Sequence, residues 1–257
     1  MGLIVANSSG SDYHEVVLFG AIPPLLLAPF IFLIVPDDRK MIPCGADPDA
    51  ATVTYSKLTI AELFAPGLRG RTIKLATMVG LNFFGSASFI NWQTTYMEEV
   101  RGIASATSKS LFGWQFAAAI VGGFVWGAIA DRFGRRVNAY GFLIGAVAIL
   151  FYVTLASTTA SLAVAGLAYG FFIAASVIWG PWLTELYPPH LRSTAASIFQ
   201  WGRIISFLAP PITTTIAAAT SLPVAMGVAA VAFTLSALIW LSLPETLVRT
   251  SARIVTV

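Results

Sequence analysis

The sequence predicts an all-α, polytopic membrane protein with seven transmembrane helices, six of which form one bundle. Of the 257 residues, 57% are hydrophobic and 11% are charged, whereas about a quarter of the residues in an ordinary soluble domain are charged. The chain also contains seven apolar stretches near the length of about 20 residues that a helix needs to cross a bilayer. This composition excludes a disordered chain, a nucleic-acid-binding domain and nearly every class of soluble enzyme.

The seven stretches fall into two groups along the chain. A lone stretch is followed by a polar, proline-containing segment, and six closely spaced stretches come after it. Gly and Pro occur within the stretches, as helices in a bilayer tolerate. The predicted spans are Val16–Val35, Leu75–Met97, Leu111–Ala130, Val137–Ala156, Leu162–Leu183, Thr194–Ala219 and Leu222–Leu243.

The placement of Lys and Arg predicts the orientation of these spans. If the spans alternate, twelve Lys and Arg residues fall on one side of the membrane and two, Arg101 and Lys109, fall on the other. Because cytoplasmic loops are enriched in positive charge, the richer side is predicted to be cytoplasmic. The predicted parts are an external amino terminus with a lone helix (1–35), a cytoplasmic linker (36–74), a six-helix bundle (75–246) and a cytoplasmic tail (247–257).

The most specific motif lies in the short turn between the third and fourth spans. It reads Gly127-x-x-x-Asp131-Arg132-x-Gly134-Arg135-Arg136, and it resembles the signature loop of the major facilitator superfamily. Two further motifs resemble loops of the sugar-porter and organic-ion-transporter branches of that family. They are Glu185-x-x-Pro188-x-x-x-Arg192 and, after the last span, Pro244-Glu245-Thr246.

The resemblance implies a partial transporter. Members of the family have two six-helix halves joined by a long cytoplasmic loop, so Val16–Val35 is expected to be the last helix of the first half and 75–246 the complete second half. The expected partner is the missing amino-terminal half-bundle, and the chain is then a fragment, the product of a truncated gene or of a mis-assigned start. Trp179-Gly180-Pro181-Trp182 and Gly202-Arg203 resemble the metabolite/proton symporter branch.

The charged residues near the signature loop are predicted to form a cytoplasmic gate. In the resembled family such loops hold a lock that opens when the transporter turns inward, and Asp131 can also approach the start of the span at Ser193–Thr194, where a helix amino terminus attracts a carboxylate. The alternative is a set of solvated charges with little energy of interaction. The predicted gate residues are Gly127, Asp131, Arg132, Gly134, Arg135, Arg136, Glu185 and Arg192. Glycines of the third span are also predicted to favour close helix contact, namely Gly113, Gly122, Gly123 and Gly127, of which Gly123-x-x-x-Gly127 is a small-residue packing motif.

Arg203 is the strongest candidate for contact with a substrate. It is the one charged residue within a predicted span, about 13 Å from the start of that span. A charged group at this depth faces a cavity or a partner, and a guanidinium binds carboxylates bidentately. The alternative is a structural Arg bonded to helix carbonyls. The other candidate substrate-binding residues are Gln200, Asn91, Tyr169, Ser176 and Gln115, each of which has packing or interhelical hydrogen bonding as its alternative.

These observations favour transmembrane secondary transport of a small polar metabolite, an organic acid or a sugar, with ion coupling in the full-length parent. The expected contacts are a small-molecule substrate, anionic in the Arg203 hypothesis, and the lipid bilayer, with no nucleic acid. No enzyme activity, cofactor or metal site is predicted, since one cysteine, Cys44, and two distant histidines provide no cluster of metal ligands. The alternative function is a non-transporting truncated membrane protein, or a membrane scaffold or receptor.

Overall fold

A computed structural model describes residues 21–22, 24–30 and 59–247. The chain divides into two units, Met1–Lys57 and Leu58–Val257. In the first unit the described residues are helical, and the rest of the predicted span Val16–Val35 lies outside the described residues. In the second unit every described element is helical, which confirms the all-α fold class.

The second unit contains ten α-helices among its described residues. Short π- and 3-10-helical segments extend several of them, at Tyr96–Val100, Arg135–Asn138, Ala174–Ile178 and Pro189–Leu191. The α-helices are α1 (Thr59–Glu62), α2 (Arg69–Thr95), α3 (Ser105–Phe133), α4 (Ala139–Thr154), α5 (Thr159–Ile173), α6 (Trp179–Glu185), α7 (Arg192–Ala196), α8 (Ile198–Ser206), α9 (Ala209–Ala219) and α10 (Leu222–Leu241).

Five continuous helical segments of the described chain are long and apolar enough to cross a membrane. They are Arg69–Val100, Ser105–Phe133, Arg135–Thr154, Thr159–Glu185 and Leu222–Leu241. Each contains most of one predicted span, but α2 begins at Arg69 rather than at Leu75. An apolar stretch marks only the hydrocarbon-spanning part of a helix, and the backbone continues as a helix through the charged residues at the interface.

The predicted span Thr194–Ala219 is not one helix in the structure. It is divided into α7, α8 and α9, with breaks at Ser197 and at Phe207–Leu208. The second break precedes Pro210 and Pro211, which lie in the first turn of α9. Proline has no N–H to donate to the preceding turn, so a regular helix is difficult to continue through this pair.

The bundle has α2 and α10 near its centre. α2 packs against α8 and α10, α10 packs against α4, and α5 packs against both α3 and α4. The interior is rich in aromatic rings, among which Phe142 contacts Trp179, Phe233 and Trp240 edge-to-face. Such contacts stabilise a core beyond the area that they bury.

Candidate functional site

Arg203 lies where α8 crosses α2. The preceding residue, Gly202, is buried against Val79 and Phe83 of α2, and a Cβ atom on it would lie 2.6 Å from Val79 Cγ1. This close approach brings the exposed Arg203 side chain over Phe83, with Cζ 5.6 Å from the ring centroid. Among the residues that the structure describes, Arg203 forms no ion pair. Its guanidinium is therefore held by an aromatic face, which does not use its in-plane N–H donors.

Two other predicted substrate residues are also exposed. Gln200 lies three residues before Arg203 on α8, and Asn91 lies on α2, eight residues beyond Phe83. That separation corresponds to about 12 Å along the helix axis. Gln200 and Arg203 thus present a donor-rich surface from one helix, and Asn91 adds a further amide on the helix that α8 crosses.

The remaining predicted substrate residues, Gln115, Tyr169 and Ser176, are buried or half-buried in the bundle. Gln115 of α3 is buried and accepts a hydrogen bond from Gln93 of α2 over 2.6 Å. Tyr169 is buried, with its ring centroid 4.6 Å from that of Phe89. The Ser176 hydroxyl donates to the carbonyl of Ile173 over 3.1 Å, within a 3-10 turn. These three residues therefore contact other protein groups by packing or hydrogen bonding. Their role in binding a substrate stays a prediction.

A charged network joins the signature loop to two other parts of the chain. Arg135 pairs with Asp131 over 2.6 Å and with Glu185 over 3.0 Å. Glu185 also accepts a hydrogen bond from the Thr246 hydroxyl. Asp131 therefore bonds Arg135, rather than the helix start at Ser193–Thr194 that the sequence suggested. The network links α3, α6 and the residues after α10.

Glu245 is the central acceptor of this end of the bundle, and the sequence assigned it no role. Its carboxylate accepts the backbone N–H of Arg135 over 2.8 Å and that of Arg136 over 2.9 Å. It also accepts the backbone N–H groups of Thr246 and Leu247. Burial would raise the pKa of Glu245, but these backbone hydrogen bonds outweigh it, and the net effect is a lowered pKa. The Pro-Glu-Thr motif was the signal that could have identified it.

Gly134 allows Glu245 to reach the loop. Its φ of +110° is a conformation that residues with a side chain rarely adopt. A Cβ atom at this position would lie 2.6 Å from the Glu245 Oε2 atom. Gly134 is thus the one gate glycine for which the described contacts give a steric reason.

The other predicted gate residues make fewer contacts. Arg136 donates through Nε to the carbonyl of Leu243 over 2.5 Å, Arg132 lies 5.6 Å from the Phe133 ring centroid, and Arg192 is exposed at the start of α7. Gly127 has open space where a Cβ would lie, so it makes none of the close contact that the packing motif predicted for it. Gly122, which was also predicted to favour close helix contact, does make it, because a Cβ there would lie 2.3 Å from the Phe171 carbonyl oxygen.

Comparison with known proteins agrees with this architecture. The chain is 26% identical over 203 residues to a cis,cis-muconate transport protein of Acinetobacter baylyi, covering 76% of this chain and 48% of that protein. It is 24% identical to a putative metabolite transport protein of Haemophilus influenzae, covering 65% of this chain and 42% of that protein. The chain therefore spans about half the length of the curated relatives that it matches.

A solved structure shares the fold. An inward-open structure of the xylose transporter XylE from E. coli superposes with a TM-score of 0.54 at 20% identity, covering 69% of this chain and 48% of that one. The sequence model of the Major Facilitator Superfamily matches residues 75–254, which is more than half of the chain and includes the signature loop, the Arg203 surface and Glu245. The chain belongs to the Major Facilitator Superfamily of membrane proteins.

Proposed function

We propose that this chain supplies one half-bundle of a secondary transporter for small organic anions, with Arg203 as the residue that binds the substrate carboxylate. The observation that carries the proposal is the position of Arg203. It is the one charged residue within its apolar span, it is exposed, and its guanidinium rests on Phe83 without an acidic partner among the described residues.

The energy of placing an Arg within an apolar segment of a membrane protein supports a functional role. Insertion scales put the cost at about 2.5–3.5 kcal/mol when an Arg lies at the centre of a membrane helix. A residue with that cost faces water or a polar partner rather than lipid tails. Arg203 and Gln200 share one side of α8, so an anion there would meet a planar fork of N–H donors and an amide.

The relatives support the substrate class. One of them is named a cis,cis-muconate transport protein, and muconate is a dianion with a flat unsaturated body. A carboxylate of this kind suits a guanidinium, and the flat body suits the neighbouring aromatic ring. We propose that the substrate of the present chain also carries a carboxylate. The complete transporter would couple its transport to the movement of an ion.

The charged network at Arg135 is suited to act as a gate of the proposed transporter. Asp131, Arg135, Glu185 and Thr246 connect three separate segments by bonds that can break as a set. We place this end in the cytoplasm, since it carries most of the Lys and Arg residues. A second half-bundle, of the kind that would account for the greater length of the relatives, would provide the opposing wall of the substrate site and the coupling carboxylate.

Ligand-dependent thermal unfolding of the purified chain tests the proposal. We expect cis,cis-muconate at millimolar concentration to raise the unfolding temperature, and its neutral dimethyl ester to leave it unchanged. Arg203→Lys keeps the charge but loses the planar fork, and we expect it to lose about 2–5 kcal/mol of ligand affinity. Arg69→Lys, at the exposed start of α2, is the matched control and should bind as the parent does. An equal shift with the ester, or unchanged binding by Arg203→Lys, contradicts the carboxylate clamp.

A further inference from the structure

An apolar groove runs along the contact between α2 and α8. It has a volume of 590 Å³ and is open along one side. α2 and α8 line it from the two sides, and no side chain among residues 59–247 fills it. The residues that line it are Ala76, Thr77, Gly80, Leu81, Phe84, Trp201, Ile204 and Ile205.

The groove and Arg203 lie on opposite flanks of α8. Gly202 makes the contact with α2, and successive residues of a helix are turned by about 100°. Trp201, one residue before the contact, therefore lines the groove, while Arg203, one residue after it, lies over Phe83 on the other flank. If Arg203 avoids lipid tails, as an Arg within a membrane protein does, the flank of α8 without it faces the hydrocarbon.

One end of the groove lies next to exposed positive charge. Lys74 is exposed and shares a face of α2 with Thr77 and Leu81, three and seven residues further on. The turns from Arg69 to Phe84 contain Arg69, Arg71 and Lys74 and no acidic residue. The Arg71 guanidinium is already bonded to the carbonyl of Leu186, which leaves Lys74 and Arg69 exposed at the membrane interface.

The distance from Lys74 to the far end of the groove matches one leaflet of a bilayer. From Lys74 to Phe84 is ten residues, or about 15 Å along a helix, and half of the hydrocarbon core is also about 15 Å. A ligand that fits must therefore combine an anionic group at the interface with an apolar chain that reaches the midplane. We propose that the groove is a binding site for an anionic phospholipid, with one acyl chain along α2 and α8 and the headgroup phosphate paired with Lys74.

Native mass spectrometry of the purified chain tests this proposal. The chain would be offered dioleoyl phosphatidylglycerol and, separately, dioleoyl phosphatidylcholine, which has the same acyl chains and no net charge. We expect one phosphatidylglycerol molecule to stay bound in preference to phosphatidylcholine. Lys74→Gln should reduce that preference about five-fold, the effect of one Lys near an anionic lipid surface. Thr77→Phe, which fills the groove from an exposed position, should abolish retention of the bound lipid.

Two control variants make the result specific to the groove. Lys109→Gln removes a Lys at the opposite end, and Val121→Phe enlarges an exposed residue of α3, so both should retain the lipid. A phosphatidylglycerol with a photoreactive acyl chain should cross-link within residues 76–84 or 201–205. Equal retention of both lipids, unchanged retention by Lys74→Gln and Thr77→Phe, or cross-links confined to other segments would overturn the proposal. So would a second copy of the chain in the groove, detected as a dimer that Thr77→Phe dissociates.

Discussion

Gly134 shows how one residue can meet two independent requirements. Its positive φ excludes most side chains, and the carboxylate of Glu245 occupies the space of a Cβ. Gly102 separates these effects, because it also has a positive φ, +66°, but has open space around it. We expect Gly102→Ala to cost about 1–2 kcal/mol, the strain of a left-handed residue.

Gly134→Ala should be more destabilising than Gly102→Ala. It combines backbone strain of about 1–3 kcal/mol with displacement of the Glu245 carboxylate from two backbone N–H groups. Denaturant or thermal unfolding of the two variants in the same detergent measures the difference. Equal loss of stability in both variants would mean that the contact with Glu245 makes no net contribution to the free energy of unfolding.

Glu245 gives a prediction for the pH dependence of stability. Because its pKa in the folded state is lowered, its contribution is present above the pKa of the unfolded chain and is lost as pH falls through the folded pKa. Glu245→Gln replaces one acceptor by an NH₂ group that faces backbone donors, so the variant should be less stable near pH 7. We expect the gap in unfolding temperature to be constant above pH ~5 and to shrink below the ordinary Glu pKa of about 4.3. A gap that grows toward acid pH would contradict this assignment.

Residue types predicted that the charges of the proposed gate lie together, but not which contacts they make. The spacing of Asp131, Arg135 and Glu185 indicated a cluster on one surface, and the structure connects the three in a chain of ion pairs. The bonds of Glu245 could not be derived, because they join residues more than 100 positions apart and depend on how α10 ends. The predicted approach of Asp131 to Ser193–Thr194 used a general preference for helix termini, and the nearer Arg135 provides a full charge instead.

At the scale of elements, the crossing of α8 over α2 is the contact that positions the candidate site. A Cβ on Gly202 would lie within 3.0 Å of the Val79 carbonyl oxygen, as well as close to two side chains, and a backbone atom cannot move aside by a rotamer change. Gly202→Ala should therefore cost about 1–3 kcal/mol, as overpacking does elsewhere. Gly227 in α10 has open space around it, so Gly227→Ala should be neutral or stabilising by up to about 1 kcal/mol.

Thermal unfolding of both alanine variants tests this contact, and muconate binding adds a second measurement. If α8 positions Arg203, Gly202→Ala should lose ligand affinity in the fraction that stays folded, whereas Gly227→Ala should keep it. Equal stability of the two variants would show that α8 is free to move away from α2.

The helices also show where hydropathy alone predicts a continuous membrane-length helix and where it does not. Five predicted spans correspond to continuous helical segments, because their length and apolar composition are enough to identify them. The stretch Thr194–Ala219 was predicted as a span in the same way, but it includes Gln200, Arg203 and two prolines, and it is broken twice. Proline explains the break before α9, but the break at Ser197 has no counterpart in the sequence pattern.

At the scale of the whole molecule, orientation in the membrane is the prediction with the clearest test. In a Cys44→Ser background, a cysteine at Ser157 should react with an impermeant maleimide in intact cells, and one at Arg132 should react only after permeabilisation. Both native residues are exposed in turns or at a helix end, so access to the thiol is not limited by packing. Labelling of the Arg132 position from outside would reverse the orientation inferred from positive charge.

The bonds of Glu245 also have a consequence for how the protein is made. The loop at residues 134–136 leaves the ribosome about 110 residues before the carboxylate that accepts its backbone N–H groups. In synthesis from the amino terminus onward, three membrane-length segments, Arg135–Thr154, Thr159–Glu185 and Leu222–Leu241, are made after Gly134 and before Glu245. The backbone N–H groups of Arg135 and Arg136 gain this acceptor only after α10 is complete, so a chain truncated before Pro244 should lose contacts at the Gly134 loop, more than 100 residues from the truncation.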